Sequence, residues 1–142
     1  MKKDVRHRAR EAALQILYQA EVGQRDVPAA IDTYFDLQWP DEGAVPESLR
    51  TFAADLATDT IRQLPVVDPL IAETTERWRP ERMPILDRLI LRMATTELLR
   101  AGGPPPAVVI NEALELARTF STDESVKFIN GMLDTIRKKI ER

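Results

Sequence analysis

The apolar residues of this chain recur at the spacing of an α-helix in every well-patterned segment, and nowhere do they alternate as in a half-buried β-strand. The final segment shows the pattern clearly, with one face formed by Val126, Ile129, Met132, Leu133, Ile136 and Ile140. The sequence contains no internal repeat and no low-complexity tract. The sequence therefore predicts an all-α fold, a compact bundle of about seven helices, either undivided or built as two packed sub-bundles that separate near the 39–46 loop.

Prolines and a candidate cap set the expected boundaries in the first half. A second helix is predicted to begin near Pro28, because proline suits a first helical turn. The segment WPDEGAVP (39–46) is the clearest loop, and a third helix follows it with Phe52 among its apolar residues. A fourth helix is expected to start with Asp68 as its N-cap and Pro69 directly behind it.

The second half contains three further helices. The segment PILDRLILRMATTELLRA (84–101) is apolar around most of its circumference, which predicts a central, mostly buried helix. GGPPP (102–106) ends it, and a sixth helix follows with VVINEALELARTF. STDE, at Ser121–Glu124, matches a capping box for the last helix.

Length and composition limit the class of protein. A chain of 142 residues is expected to form a single domain, residues 1–142. The sequence has no cysteine, which excludes disulfides, thiolate zinc sites and a cysteine nucleophile. Its apolar runs are too short to cross a bilayer, and its charged start lacks the apolar stretch of a secretion signal. We therefore expect a cytoplasmic protein that does not contact membranes.

Charge is distributed unevenly along the chain. The first ten residues contain five lysines and arginines against one aspartate, a net charge of +4, although the whole chain has a formal charge of −3. Eight carboxylates between Asp26 and Asp59 are accompanied by one basic residue, Arg50. This distribution favours contact with a polyanion at one end of the molecule.

The predicted first helix gathers these basic residues along its edges. Ala9, Ala12, Ala13, Ile16 and Ala20 continue an apolar stripe from Val5, and the basic side chains flank that stripe. The candidate nucleic-acid-binding residues on this helix are Lys3, Arg6, His7, Arg8 and Arg10, with Tyr18 as an aromatic candidate. A charged terminus that merely interacts with water is the alternative interpretation.

If the polyanion is a single-stranded nucleic acid, it is bound by cations along its backbone and by aromatic rings that stack on its bases. Phe128 lies off the apolar stripe of the last helix, next to Lys127, and both are candidates for such contacts. We hypothesise that the first helix and the start of the last lie side by side as one basic and aromatic strip. Packing of Phe128 against a neighbouring helix is the alternative.

Catalytic patterns are missing from the sequence. His7 is the single histidine and lies among arginines, which favours a polar surface group or a phosphate donor over a general base. Glu112 and Glu115 have no histidine beside them to complete a metal site, and no glycine loop suits a nucleotide phosphate. The sequence predicts neither an enzyme nor a cofactor.

Separated stretches of the chain resemble the NusB family of bacterial transcription antitermination factors. They are RHRAREAALQILYQAE (6–21), LDRLILRMATTELL (86–99) and PPAVVINEALELARTFSTDESVKFINGMLDTI (105–136). The run INEALELAR followed by KFINGMLD is the most specific part. The resemblance implies an all-α fold of about seven helices and an RNA-binding adaptor without enzymatic activity.

The resemblance also implies partners. Members of this family recognise the boxA element of nascent RNA, notably in ribosomal RNA operons. They do so with the small-subunit ribosomal protein NusE, in the antitermination complex on RNA polymerase. Matched to this sequence, the RNA contacts are Arg6, His7, Arg8, Arg10, Lys127 and Phe128, and the partner surface includes Glu81, Asp87 and Glu124.

This chain departs from the family pattern at three places. His7 stands where an arginine is usual, Ala107 where a lysine is common, and Thr95–Thr96 where an apolar residue and a tyrosine are usual. Two other functions stay open: a helical interaction module without an RNA role, and a NusB-like domain related to ribosomal RNA methyltransferases. The sequence also leaves monomer and homodimer open.

Overall fold

A computed structural model describes residues 4–75 and 80–141, which form seven α-helices and no β-strand. The helices are α1 Val5–Val22, α2 Val27–Thr33, α3 Glu47–Arg62, α4 Leu64–Thr74, α5 Ile85–Leu99, α6 Pro106–Phe120 and α7 Asp123–Ile140. A π-helical turn, Tyr34–Gln38, follows α2, and a 3₁₀ turn, Pro80–Arg82, precedes α5. The predicted all-α fold of about seven helices is confirmed.

The chain divides into two compact units, Met1–Ile61 and Arg62–Arg142. The expected division near the 39–46 loop is therefore wrong. That loop belongs within the first unit, because its Trp39 contacts both Phe35 and Arg8. These contacts connect the loop to the helical segments that precede it, so the division follows α3 instead.

Helix α1 begins at a side-chain cap and is held by its apolar face. The Asp4 carboxylate accepts a 2.9 Å hydrogen bond from the backbone N–H of His7, which satisfies one of the free donors of the first turn. The predicted stripe is buried at Ala9, Ala12, Ala13, Ile16 and Ala20, whereas Val5 is exposed. Small side chains allow the close contact of α1 with α2. This contact holds α1 in place, and with it the flank of α1 that carries the arginines.

Helix α4 begins earlier than the sequence predicts. It starts at Leu64, with Pro65 in its first turn, so Pro69 lies inside the helix and Asp68 is not its cap. Asp68 instead accepts two hydrogen bonds from the guanidinium of Arg92 on α5, both 2.8 Å long. This bidentate ion pair joins α4 to α5 within the second unit.

Helix α5 is central in the second unit, as predicted. It packs against α4, α6 and α7, and its buried residues lie on most of its circumference: Asp87, Leu89, Ile90, Leu91, Met93, Ala94, Thr95, Thr96 and Glu97. A helix that is apolar on nearly all sides exposes the least apolar surface to water when neighbouring helices cover it on several sides.

Helix α7 is capped one residue later than expected. Thr122 is the N-cap, and its hydroxyl accepts the backbone N–H of Ser125 at 3.1 Å. The predicted capping box at Ser121–Glu124 is therefore wrong, because the Ser121 hydroxyl donates to Asp87 instead. The Ser121 hydroxyl therefore connects the start of the α7 region to α5.

Among the described residues, no helix is both long enough and apolar enough to span a bilayer.

Candidate nucleic-acid interface

The basic residues of α1 differ widely in exposure. Arg6 is exposed and the Arg8 side chain is 29% exposed, whereas Arg10 is only 3% exposed. The expectation of a single open basic edge is thus wrong at Arg10. Lys3, the remaining basic candidate near the N-terminus, lies outside the described residues. Arg6 and part of Arg8 are therefore the guanidiniums of α1 that phosphate can reach directly in this conformation.

Arg6 and Arg10 share one aromatic ring. Their guanidinium carbons lie 5.0 Å and 5.2 Å from the centre of the Phe52 ring on α3. Both distances are within the range of a cation–π interaction. The two arginines are one helical turn apart, so a single side chain from another helix fixes them both.

Arg8 is held from the opposite flank by the 39–46 loop. Its guanidinium carbon lies 4.9 Å from the centre of the Trp39 ring, and it forms an ion pair with the Asp41 carboxylate. The Asp41 side chain is half exposed. Phosphate that approaches Arg8 must therefore compete with a carboxylate of the same protein.

His7 is buried, with 7% of its surface exposed, so the predicted surface location is wrong. Its ring nitrogen Nε2 lies 3.5 Å from the Glu11 carboxylate one turn further along α1. At this position, where the family usually has an arginine, the chain therefore has an imidazole ring that packs inside the protein. A role of His7 in RNA binding stays a prediction.

An aromatic cluster lies behind the Arg8 contact. The Tyr34 ring centre is 5.1 Å from that of Phe35 and 6.4 Å from that of Trp39, and both pairs meet edge to face. Burial raises the pKa of Tyr34 above its usual 10.0, the Glu11 carboxylate raises it further, and the Arg8 cation opposes both. Tyr34 is thus a neutral, packed support beside the basic edge at physiological pH.

The aromatic candidates differ in accessibility. Tyr18 is 40% exposed on α1, and Phe128 is half-buried in the second turn of α7, next to the exposed Lys127. Tyr18 and Lys127 can meet a ligand without rearrangement of the protein. The predicted strip that combines α1 with the start of α7 stays a prediction.

Asp87 is buried at the start of α5 and is 3% exposed. Its two carboxylate oxygens accept hydrogen bonds from the Ser121 hydroxyl at 2.9 Å and the Ser125 hydroxyl at 2.7 Å. These bonds attach α5 to the turn before α7. Its predicted location on an open partner surface is wrong, because both oxygens are engaged inside the protein, and a role in partner binding stays a prediction.

The other two partner candidates, Glu81 and Glu124, are exposed. Glu81 lies in the 3₁₀ turn before α5, and Glu124 lies in the first turn of α7, where a carboxylate interacts favourably with the helix dipole. Asp87 fixes the segment that carries Glu124. Both glutamates are thus available to a basic partner.

Sequence reasoning did not identify Phe52, Trp39 or Asp41 as part of this region. Phe52 was assigned to the apolar stripe of α3, and the other two to a loop. The available signal was the spacing of Arg6 and Arg10, since like charges four residues apart destabilise a helix unless a neighbour compensates.

No group of three or more histidine or acidic side chains suited to a metal ion is found among residues 4–75 and 80–141.

Comparison with known proteins gives consistent matches over the chain. The profile described as the NusB family matches residues 7–138. A transcription antitermination protein NusB from Solibacter usitatus is 47% identical over 135 residues, which are 95% of this chain and 90% of that protein.

Solved structures match over similar lengths. A structure of T. maritima NusB is 33% identical, with a TM-score of 0.84, and the match covers 98% of this chain and 94% of that one. The crystal structure of antitermination factors NusB and NusE in complex with dsRNA contains a chain that is 20% identical, with a TM-score of 0.83, and the match covers 95% of this chain and 97% of that one. The latter similarity concerns the fold alone. By its profile match and its identity to curated relatives, this chain belongs to the NusB family.

Proposed function

We propose that this protein is a cytoplasmic, RNA-binding transcription antitermination factor that acts by binding and not by catalysis. Its RNA target would be a boxA-type single-stranded element of nascent ribosomal RNA transcripts. The observation that carries the proposal is the exposed Arg6, held on the basic first helix of a NusB-family chain.

The basic helix supplies the phosphate contacts in this proposal. Arg6 is open, and Arg8 becomes available when phosphate displaces Asp41. A guanidinium can grip a phosphate through two parallel hydrogen bonds, which a lysine cannot do. Arg10 shares the Phe52 ring with Arg6, while Lys3 and Lys127 would add positive charge.

In this proposal the aromatic side chains stack on the RNA bases. Tyr18 is the more accessible of the two candidates, and Phe128 has a half-buried ring next to Lys127. A stacked base is worth about 1–3 kcal/mol. Few direct contacts and an acidic remainder of the chain together predict modest affinity for RNA alone.

A ribosomal protein of the NusE type is the proposed partner on RNA polymerase. The exposed carboxylates of Glu81 and Glu124 suit a basic partner surface, and Asp87 orders the turn next to Glu124. The partner would extend the RNA-contacting surface and hold the two proteins in one arrangement, which raises the effective affinity.

Two other classes make different predictions. A helical interaction module would bind NusE without RNA, whereas a methyltransferase-related domain would act beside a cofactor-binding domain. This chain spans 90% of the Solibacter relative, a protein named for antitermination, and this favours the antitermination role.

Fluorescence anisotropy with labelled boxA RNA tests the proposal. We expect binding to exceed that of a scrambled RNA, and to tighten at least several-fold when NusE is added. A double-stranded RNA of the same sequence shows whether duplex is preferred. Equal binding of boxA and scrambled RNA, with NusE and without it, would overturn the proposal.

A further inference from the structure

Two arginines of α1 meet the ring of Phe52, which belongs to α3. The guanidinium carbon of Arg6 lies 5.0 Å from the ring centre, and that of Arg10 lies 5.2 Å from it. All three residues are in the same compact unit, Met1–Ile61. The contact is therefore a property of that unit's own packing.

This arrangement counters an electrostatic cost. Arg6 and Arg10 are four residues apart, a spacing at which two positive charges repel each other on a helix surface. The face of an aromatic ring has negative electrostatic potential, so it attracts both cations. Phe52 thus allows two guanidiniums to be concentrated at one point, which an aliphatic side chain does not do.

The two arginines lie at different depths. Arg10 is 3% exposed, whereas Arg6 is exposed and Phe52 is half-buried. The ring therefore restrains an outer guanidinium that can still meet a ligand, while its other cation contact is buried. An arginine that is already restrained loses less conformational freedom when it binds phosphate.

We propose that Phe52 is a positioning residue for RNA recognition, which holds the Arg6 guanidinium ready for a phosphate of the RNA backbone. This inference rests on the proposed function, since it concerns the same basic helix. Phe52 itself does not need to touch RNA. Its contribution depends on the ring and on the presence of Arg6.

A simple packing role makes a different prediction. If Phe52 only fills space, then replacement by another apolar residue of similar size should have the same effect whether Arg6 is present or not. If Phe52 acts through Arg6, the effects of the two substitutions on RNA affinity should not add.

The experiment is a double-mutant cycle on the full chain with labelled boxA RNA. Phe52→Leu should weaken binding about three- to tenfold, the range expected when an unrestrained arginine side chain must be immobilised on binding. Phe52→Tyr, which keeps the ring, should bind within twofold of the wild type. In an Arg6→Gln background, Phe52→Leu should change affinity by less than twofold.

The salt dependence of RNA affinity distinguishes a residue that positions Arg6 from a residue that itself contacts phosphate. Phe52→Leu leaves the charge on Arg6, so the slope of log affinity against log salt should stay at the wild-type value. Arg6→Gln removes that charge and should lower the slope. Phe120→Leu, at another half-buried phenylalanine, is the matched control and should leave RNA affinity unchanged.

Circular dichroism confirms folding of every variant, and Phe52→Met replaces Phe52→Leu if the latter does not fold. Equal losses from Phe52→Leu with and without Arg6 would overturn the inference, as would a Phe52→Tyr variant as weak as Phe52→Leu. Absence of boxA binding by the wild type would instead overturn the proposed function, so the two failures are distinguishable.

Discussion

The guanidinium of Arg8 on α1 is ion-paired with the carboxylate of Asp41 in the 39–46 loop. Arg8 is also one of the residues that the family resemblance assigns to RNA binding. The protein thus offers this arginine a partner of the same charge as phosphate. Because the pair is partly exposed, it is worth only about 0.2–1 kcal/mol, so RNA can replace it.

Removal of the competing carboxylate should strengthen RNA binding. We expect Asp41→Asn to raise the affinity for boxA RNA about two- to fivefold, which corresponds to the energy of an exposed ion pair. Anisotropy titrations at fixed salt measure the change. Asp55→Asn makes the same charge change on the exposed Asp55 of α3 and should have a smaller effect. An equal increase in both variants would show that net charge alone is responsible.

The buried carboxylate of Asp87 should matter for stability. Its hydrogen bonds from Ser121 and Ser125 join α5 to the start of α7. Bonds to a charged acceptor contribute about 1.5–3 kcal/mol each, and this is partly offset because Asp87→Ala also removes the cost of burying a carboxylate. We expect Asp87→Ala to lower the free energy of unfolding by about 2–4 kcal/mol in urea titrations. Glu124→Ala, at an exposed site, should change it by less than about 0.5 kcal/mol.

Partner binding distinguishes these two acidic residues further. Glu124→Ala should weaken NusE binding while stability is unchanged, whereas Asp87→Ala should lower both. A fully stable Asp87→Ala variant would contradict the structural role that its hydrogen bonds indicate.

Two adjacent threonines on α5 should respond differently to loss of their hydroxyls. Thr96 donates a 2.7 Å hydrogen bond to the Arg92 carbonyl, whereas the buried Thr95 hydroxyl has no hydrogen-bond partner among the described residues. Valine has nearly the same shape as threonine, so Thr95→Val should raise the free energy of unfolding by about 1 kcal/mol. Thr96→Val should lower it or leave it unchanged. Thermal unfolding of both variants checks this, and a less stable Thr95→Val would contradict it.

Tyr34 should make the protein sensitive to alkaline pH. Because the folded-state pKa of Tyr34 is raised above the usual 10.0, chiefly by burial, the unfolded chain loses this proton first. Stability is therefore complete below about pH 10 and falls as the pH rises towards the folded-state pKa. Urea titrations from pH 8 to 11 should show a smaller alkaline loss in Tyr34→Phe than in the wild type. Identical pH profiles would contradict this account.

The sequence predicted the helices better than it predicted the surroundings of the arginines. Helical periodicity is a local property, and it located α1, α5 and α7. It failed at the start of α4 because Pro65 and Pro69 both suit a first helical turn, and only the pairing of Asp68 with Arg92 shows which one occupies it.

The exposure of individual side chains depends on contacts that are distant in the sequence. Arg10 lies beside an apolar stripe, which predicts exposure, but it is buried and stacked on Phe52 from another helix. Asp87 follows the same principle, since the serines that donate to it, Ser121 and Ser125, lie more than thirty residues later, at the start of α7 and just before it. Periodicity within one helix cannot reveal either partner.

The central claim is that Arg6 on the first helix contacts RNA phosphate. It is tested most directly by boxA affinity measured over a range of salt concentrations for the wild type and Arg6→Gln. Arg118→Gln, which alters an exposed arginine of α6, is the control. We predict weaker binding by Arg6→Gln, a salt slope lower by roughly 0.7, as expected for one lost single-strand contact, and no change in the control. Unchanged affinity and slope in Arg6→Gln would contradict the claim.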